Sequence, residues 1–518
     1  MLNPFGNRSN GNDPPLEQRT IFWGNRKRPL PFDQAREHNF LIMGAIGSGK
    51  TSVLLVILHD IMPYITEGSG QRAIVYDPKT EFLPYLASMV PEGAERLRIL
   101  HPRDRRAYAW DIAADIAHHE DATGIANTLI PDRRATGGGS EQFFTEMSRG
   151  LVLHTLIGLK KLLGTDWNFR DFVNTMLTPD LRGRVVAVTD EGRNMLAELG
   201  ADRTESNIKA DIRSRFERFR RLGDFMDHHA REGRKLSLKE WVRTESVLVL
   251  GRDREPASLL DDLNRTIMQR LQATLLSAEH NPVSVSPDGR PTSGTALILD
   301  EFSGFAEKNS LMQLLLEGRS YGLCTLLSFQ TRHALISAYG GEADVKTLTS
   351  QLGNIMVLRL GDFEDAQWAA DVLGKQEIKK DETEQLDDAG RTTGYSLKRH
   401  GPRVEEHIYS PSEIRGICAD GTVGGFARST LDQKPFQFKL NWKNLQAFRS
   451  RDESFPAHDF FPSDWKPRPW DRRRIEAALD AYESRFVGTA GSEGDSKAEN
   501  AEAVLDALRR FQQSHHVR

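Results

Sequence analysis

Lys50 and Thr51 close the segment GAIGSGKT, Gly44–Thr51, whose GxxxxGK[ST] spacing suits phosphate chemistry. Glycines let successive backbone N–H groups turn inward on an anion with no side chain in the way. A helix starting near Ser48 aims its positive end at the same place. Lys50 supplies a compact positive charge for the β- and γ-phosphates of ATP, and the Thr51 hydroxyl can bind Mg2+. The expected cradle is Gly44, Ala45, Ile46, Gly47, Ser48, Gly49, Lys50, Thr51 and Ser52.

A hydrolytic half stands further along. TALILDEF, Thr295–Phe302, reads as an apolar strand ending in two carboxylates. At the carboxyl end of a strand Asp300 can reach the Mg2+ shell, and Glu301 can polarise the attacking water as general base. A helix ending in Glu317, Gly318, Arg319 and Ser320 follows, then a strand ending in Phe329 and Gln330. Ligands of open α/β sheets collect at that end, so Gln330 can contact the γ-phosphate or the water. Arg319, at a helix-to-strand turn, suits a finger that reaches a neighbouring subunit, with Arg332 as its rival. The catalytic set is therefore Lys50, Glu301, Arg319 and Gln330, and the metal set Thr51 and Asp300. Asp77, in DPKTE after another apolar strand, is a further acid at the ligand edge; the alternative is a proline turn with solvated charges.

Positioning these groups needs a sheet. Short apolar runs at His38–Gly44, Arg72–Asp77, Leu97–His101, Ser246–Leu250, Ala296–Asp300, Cys324–Phe329 and Asn354–Leu360 alternate with helical patterns. Fully apolar strands between helices indicate a mostly parallel sheet covered on both faces. The fold class is α/β, with an all-helical stretch inserted where the alternation lapses. One helix carries Phe143, Met147 and Leu151, and another runs near Glu205–Leu222. The expected organisation is an arm at 1–19, a motor domain at 20–120 and 246–445, an inserted all-α domain at 121–245, and a charged tail at 446–518. Asp381–Arg403 reads as a polar loop, Val423–Arg428 and Phe436–Leu440 as late edge strands, and Trp470–Phe486 and Asn500–Gln513 as helices, with Gly488–Asp495 a linker.

The chain has 518 residues, 38% apolar and 27% charged, with a formal net charge of −4, so any basic surface must be local. Two cysteines, Cys324 and Cys418, suggest neither a disulfide framework nor a zinc site and fit a reducing cytosol. No run reaches the ~18 apolar residues that span a bilayer. No signal peptide opens the chain. Arg213, Arg220 and Arg221 form a stripe that can grip DNA phosphates, against the plainer reading of a solvated face balanced by Glu217. Arg26, Lys27 and Arg28 are another basic run.

Taken in order, these motifs resemble the type IV coupling proteins of bacterial conjugation and type IV secretion. The resemblance covers about Thr20 to Trp442. It includes Ile21–Gly24, the phosphate loop, YDPKTEF at Tyr76–Phe82, His101–Asp104, Ala109–Asp111, Phe143 and Phe144, ILDEF, EGRS, and SFQ at Ser328–Gln330. Asn354 and Ile355, Ala366–Gly374 and Ser410–Ile414 extend it. It implies a RecA-like motor carrying an all-helical domain. It also implies a hexameric ring that moves DNA and recruits relaxase-bound DNA to secretion-channel proteins in the membrane. The family's phosphate-loop pair maps to Lys50 and Thr51, its acidic pair to Asp300 and Glu301, its finger arginine to Arg319 and its glutamine to Gln330. Most members begin with transmembrane helices, and no such segment stands in this sequence. The expectation is a cytoplasmic motor with no intrinsic membrane span, recruited to the inner membrane by a partner. The rival readings are a soluble DNA translocase of the septal-translocase or repair-helicase kind, and a nucleotide-gated cargo adaptor.

Overall fold

The computed structural model describes residues 20–24, 30–31, 37–131, 139–198, 202–252, 257–287, 289, 291–302, 308–385, 396–417, 422–432, 434–446 and 448–490. Its centre is a nine-stranded sheet. The strands in chain order are β1 (Phe40–Met43), β2 (Gln71–Asp77), β3 (Leu97–Leu100), β4 (Val247–Gly251), β5 (Gly294–Leu299), β6 (Leu323–Phe329), β7 (Asn354–Leu358), β8 (Val423–Arg428) and β9 (Phe436–Leu440). Their spatial order is β9-β8-β7-β1-β6-β5-β2-β4-β3. The pairs from β7 to β3 are parallel, and β8 and β9 add an antiparallel edge. Val, Leu and Ile fill the inner strands because both faces are covered. Helix α1 (Lys50–Ile61) buries Val53, Leu54, Ile57 and Leu58 against Phe40, Ile42, Val75 and Ile298 on one face. Leu41, Met43, Ile74 and Leu297 point to the other face, into a core continuous with the helices of the excursion.

That excursion leaves the sheet after β3 and returns at β4, its hydrogen-bonded neighbour. Helices Gly139–Leu163, Phe169–Leu177, Asp202–Glu217 and Arg220–Arg231 dominate it. Phe169, Phe172, Phe216 and Phe219 form its buried aromatic centre, with ring centroids 5.5–6.1 Å apart. Arg170 is buried there and pairs with Asp224 at 2.8 Å and Asp227 at 3.0 Å, which satisfies a charge that would otherwise be costly.

Several local readings are corrected. The single helix expected over Glu205–Leu222 is two, broken between Glu217 and Arg220. A two-residue strand, Lys235–Leu236, pairs with Ala109–Trp110 where no strand was expected before Val247. Asp381–Arg403 is not simply a loop: Lys375–Gln385 and Ser396–His407 pair as an antiparallel ribbon. Its polar sequence hid it, since neither face shows the apolar alternation of a half-buried strand. The late helix is Arg473–Ala490. The basic run at Arg26–Arg28, Cys418, the 1–19 arm and the helix expected at Asn500–Gln513 lie outside the described residues.

The tail is a docked strap. Asp452 N–H donates to the Pro84 carbonyl at 2.9 Å, and Phe461 N–H to that of Arg103 at 3.0 Å. Phe461 and Trp465 then stack on Phe225, at 5.1 and 4.9 Å. Trp470 donates to Asp171, and helix Arg473–Ala490 pairs with Arg184 through Asp480 and Glu483. Among the described residues no helix is long and apolar enough to cross a membrane.

Candidate nucleotide site

The loop between β1 and α1 has the backbone that its glycines predict. Gly47 and Gly49 lie at φ 74° and 94°, in the left-handed region. A Cβ on Gly44 would stand 2.4 Å from Ser48 Oγ, and one on Gly49 2.6 Å from Val423. The Ser48 hydroxyl is buried and meets no hydrogen-bond partner among the described residues. An unsatisfied buried hydroxyl beside a glycine-walled arch fits an anion-binding cradle. The β1 end is held from both sides: Gly44 N–H donates to the Phe329 carbonyl at 3.3 Å, and Ala45 N–H to that of Arg359 at 3.0 Å.

The acidic pair sits two strands away, beyond β6. Lys50 Nζ lies 3.4 Å from Glu301 Oε2 and 3.9 Å from Asp300 Oδ1. Lys50 and Asp300 are nearly fully buried, while Glu301 keeps partial access to solvent. Glu301 adopts φ 59°, unusual for a residue with a side chain. Such local strain is held by surrounding structure and is common at functional sites. Ser328, fully buried on β6, donates its hydroxyl to Asp300 at 2.7 Å and lies 3.4 Å from the Glu301 N–H. It therefore orients the Asp300 carboxylate and anchors the Glu301 backbone.

Asp77 ends β2 level with Asp300, because Tyr76 pairs with Leu299 across the sheet. Its carboxylate accepts from the N–H groups of Phe82 at 2.7 Å and Glu81 at 3.1 Å. Burial nonetheless raises its pKa to about 7, and the nearby Asp300 charge adds to the rise. Two carboxylates thus face Lys50 at this edge, and Asp77 adds a third acid close enough to feel the Asp300 charge.

Gln330 follows β6 and, with Ala45 and Ile46, lines a cavity of about 740 Å³. Arg319 stands elsewhere. It lies in the turn Gly318–Tyr321 before β6, at the amino edge, and pairs with Glu37 at 2.7 Å. Arg332, its rival, pairs with Glu342. The lysine, the acidic pair and Gln330 therefore share the carboxyl edge, and Arg319 does not. Sequence reasoning passed over Ser328, quoted only within a motif, and Arg359, which had no motif to flag it. The DNA stripe is divided: Arg220 pairs with Glu217, while Arg221 donates to the Trp465 carbonyl and lies over its ring.

The donor set also suits a hard cation. Thr51 and Asp300 offer oxygen ligands, and among the described residues no group of three metal-ligating side chains exists. Mg2+ commonly binds through one or two carboxylates together with substrate phosphates.

Fold and site together define a RecA-like P-loop NTPase core. Within that class, the type IV secretion-system coupling protein DNA-binding domain family matches residues 27–420, and the chain belongs to it. The chain is 22% identical over 464 residues to the coupling protein TraD of Escherichia coli (strain K12). That match covers 86% of this chain but 57% of TraD, so the chain spans little more than half of that relative. The unbound conjugative coupling protein TrwBdeltaN70 superposes with a TM-score of 0.62 at 19% identity, over 86% of this chain and 92% of that one. The plasmid coupling protein TrwB in complex with ADP and Mg2+ superposes with a TM-score of 0.61, also at 19% identity and with the same coverage.

Proposed function

We propose that this chain is an ATP-hydrolysing motor that moves DNA, and that it links relaxase-bound DNA to a transfer channel. The observation that carries the reading is the meeting of Lys50 with Asp300 and Glu301 at the mouth of the glycine loop, with 3.4 Å between Lys50 and Glu301. The likeness to a TrwB complex with ADP and Mg2+ supports the choice of nucleotide and metal. The loop N–H groups and Lys50 hold the phosphates. Thr51 and Asp300 hold Mg2+, which supplies charge neutralisation at the phosphate oxygens when bound. Glu301 takes the proton of the attacking water, and Ser328 keeps the Asp300 carboxylate aimed while it holds the Glu301 backbone. Gln330 senses the γ-phosphate.

Arg319 serves a neighbouring copy, since it lies at the edge away from its own loop. Copies would then assemble head to tail, and such contacts close into rings; the hexameric ring is the form we propose. Residues 20–120 and 246–445 act as the motor and 121–245 as a helical unit beside it. The motor works in the cytoplasm, brought to the inner membrane by a partner.

The test is phosphate release by the purified chain with and without single- and double-stranded DNA, beside Glu301→Gln. DNA-stimulated turnover that Glu301→Gln removes supports a motor. Nucleotide uptake without steady turnover would instead support a cargo adaptor. Calorimetry that detects no ATP uptake would end the reading altogether.

A further inference from the structure

β7 runs parallel to β1 with Val357 opposite Met43, so Arg359 stands level with Ala45. The Ala45 N–H bond to its carbonyl ties the arginine backbone to the second residue of the phosphate loop. The Arg359 side chain is exposed, and its guanidinium has no ion pair or hydrogen bond among the described residues.

That guanidinium borders the cavity of about 740 Å³ shared by Ala45, Ile46, Gln330 and Arg415. Two carboxylates line the same space, but each already accepts a backbone N–H. Asp362 accepts from Asp365 at 3.0 Å, and Asp365 from Arg332 at 2.9 Å. Arg415 donates its Nε to the Gly361 carbonyl at 3.3 Å. Arg359 is therefore the charged donor in this wall with no present engagement. A planar guanidinium matches a phosphate with two parallel hydrogen bonds, which an ammonium cannot copy.

We propose that Arg359 binds the outermost phosphate of the nucleotide in its own subunit and makes the site favour a triphosphate over a diphosphate. The proposal rests on the nucleotide-site reading above. The loop carries Lys50 on the side of Asp300 and Glu301; Arg359 approaches from the opposite neighbour of β1. The outer phosphate is then held between two cations of different shape. Gln330, bordering the same cavity, lies where it senses the phosphate that Arg359 grips.

The experiment measures equilibrium affinities of the full chain for ADP, for a non-hydrolysable ATP analogue with Mg2+, and for an oligonucleotide. Wild type is compared with Arg359→Ala and Arg359→Lys, with thermal melting as the check on folding. Arg359→Ala should lower the triphosphate-to-diphosphate affinity ratio about 10-fold or more, the scale of a lost charge-assisted hydrogen bond. ADP affinity should stay within about twofold, since no bond to the inner phosphates is lost. Arg359→Lys should recover part of the ratio. If Arg359→Ala does not fold, the same ratio is read from Arg359→Gln. An unchanged ratio overturns the proposal, as does equal weakening for both nucleotides, which means a purely structural role. A loss confined to the oligonucleotide overturns it too, and assigns the arginine to backbone phosphates of DNA. If the wild type binds neither nucleotide, the underlying site reading has failed first.

Discussion

The two edges of the sheet handle charge in opposite ways. At the carboxyl edge Asp300 and Glu301 face Lys50, with Asp77 beside Asp300; the buried Ser48 hydroxyl meets no partner among the described residues, and Glu301 holds a left-handed backbone. At the amino edge Arg319 is 65% exposed and makes a simple pair with Glu37. Exposed pairs contribute at most about 1 kcal/mol, so Arg319 can leave Glu37 at little cost. The buried cluster cannot rearrange so freely, because breaking buried charge pairs costs about 3–5 kcal/mol. One edge is thus preorganised for chemistry, and the other is free to engage whatever approaches it.

Arg319→Ala is expected to show the contrast most strongly. Steady turnover of the assembled protein should fall about 10³-fold or more, the scale of an arginine finger, while nucleotide affinity holds. Mixing it with Lys50→Ala should restore part of the activity, because each supplies what the other lacks. Failure of every mixture to exceed the separate variants would return Arg319 to a local role.

Glu301→Gln should lower turnover about 10²- to 10⁴-fold with nucleotide still bound. Mixing with Arg319→Ala gives a subunit pair with both groups intact, so rescue there checks that the base acts beside its own loop. Near-normal single-turnover rates would dismiss it as the base.

Asp77 provides a test through pH. Its folded pKa, about 7, lies above the ordinary value of 3.8. The folded state therefore holds the extra proton between those values. Its contribution to stability is fully present below pH ~4 and is lost as pH rises through about 7, on the order of 4 kcal/mol at most. Urea midpoints from pH 4.5 to 8 should fall less steeply with rising pH in Asp77→Asn than in wild type. Parallel curves would mean that the carboxyl edge carries no such proton.

Ser328→Ala should be the mildest, lowering turnover about 10- to 100-fold, as befits one hydrogen bond to a charged group. Nucleotide affinity should change little. Equal loss of affinity and rate would show that Ser328 shapes the pocket rather than aims Asp300.

What the chain reveals before folding follows from the range of each interaction. GAIGSGKT and ILDEF are local: strand, turn and chemistry lie within a few residues, and the apolar runs place them on one edge. The link from Ser328 to Asp300 spans 28 positions and depends on β5 and β6 being neighbours. Arg359 is harder still, since only the placement of β7 beside β1 brings it to the loop. The ribbon was missed for another reason: its strands pair with each other, not with the sheet, and so show no apolar face. The strap hides its apolar anchors Phe461 and Trp465 among prolines and charges.

That strap also has a bearing on synthesis. Phe225 is complete 240 residues before Trp465, the partner that covers it, leaves the ribosome. At bacterial and eukaryotic elongation rates the delay is on the order of 10 to 50 s. Throughout that interval the nascent helical unit presents an uncovered aromatic face, a ready substrate for chaperones and for aggregation.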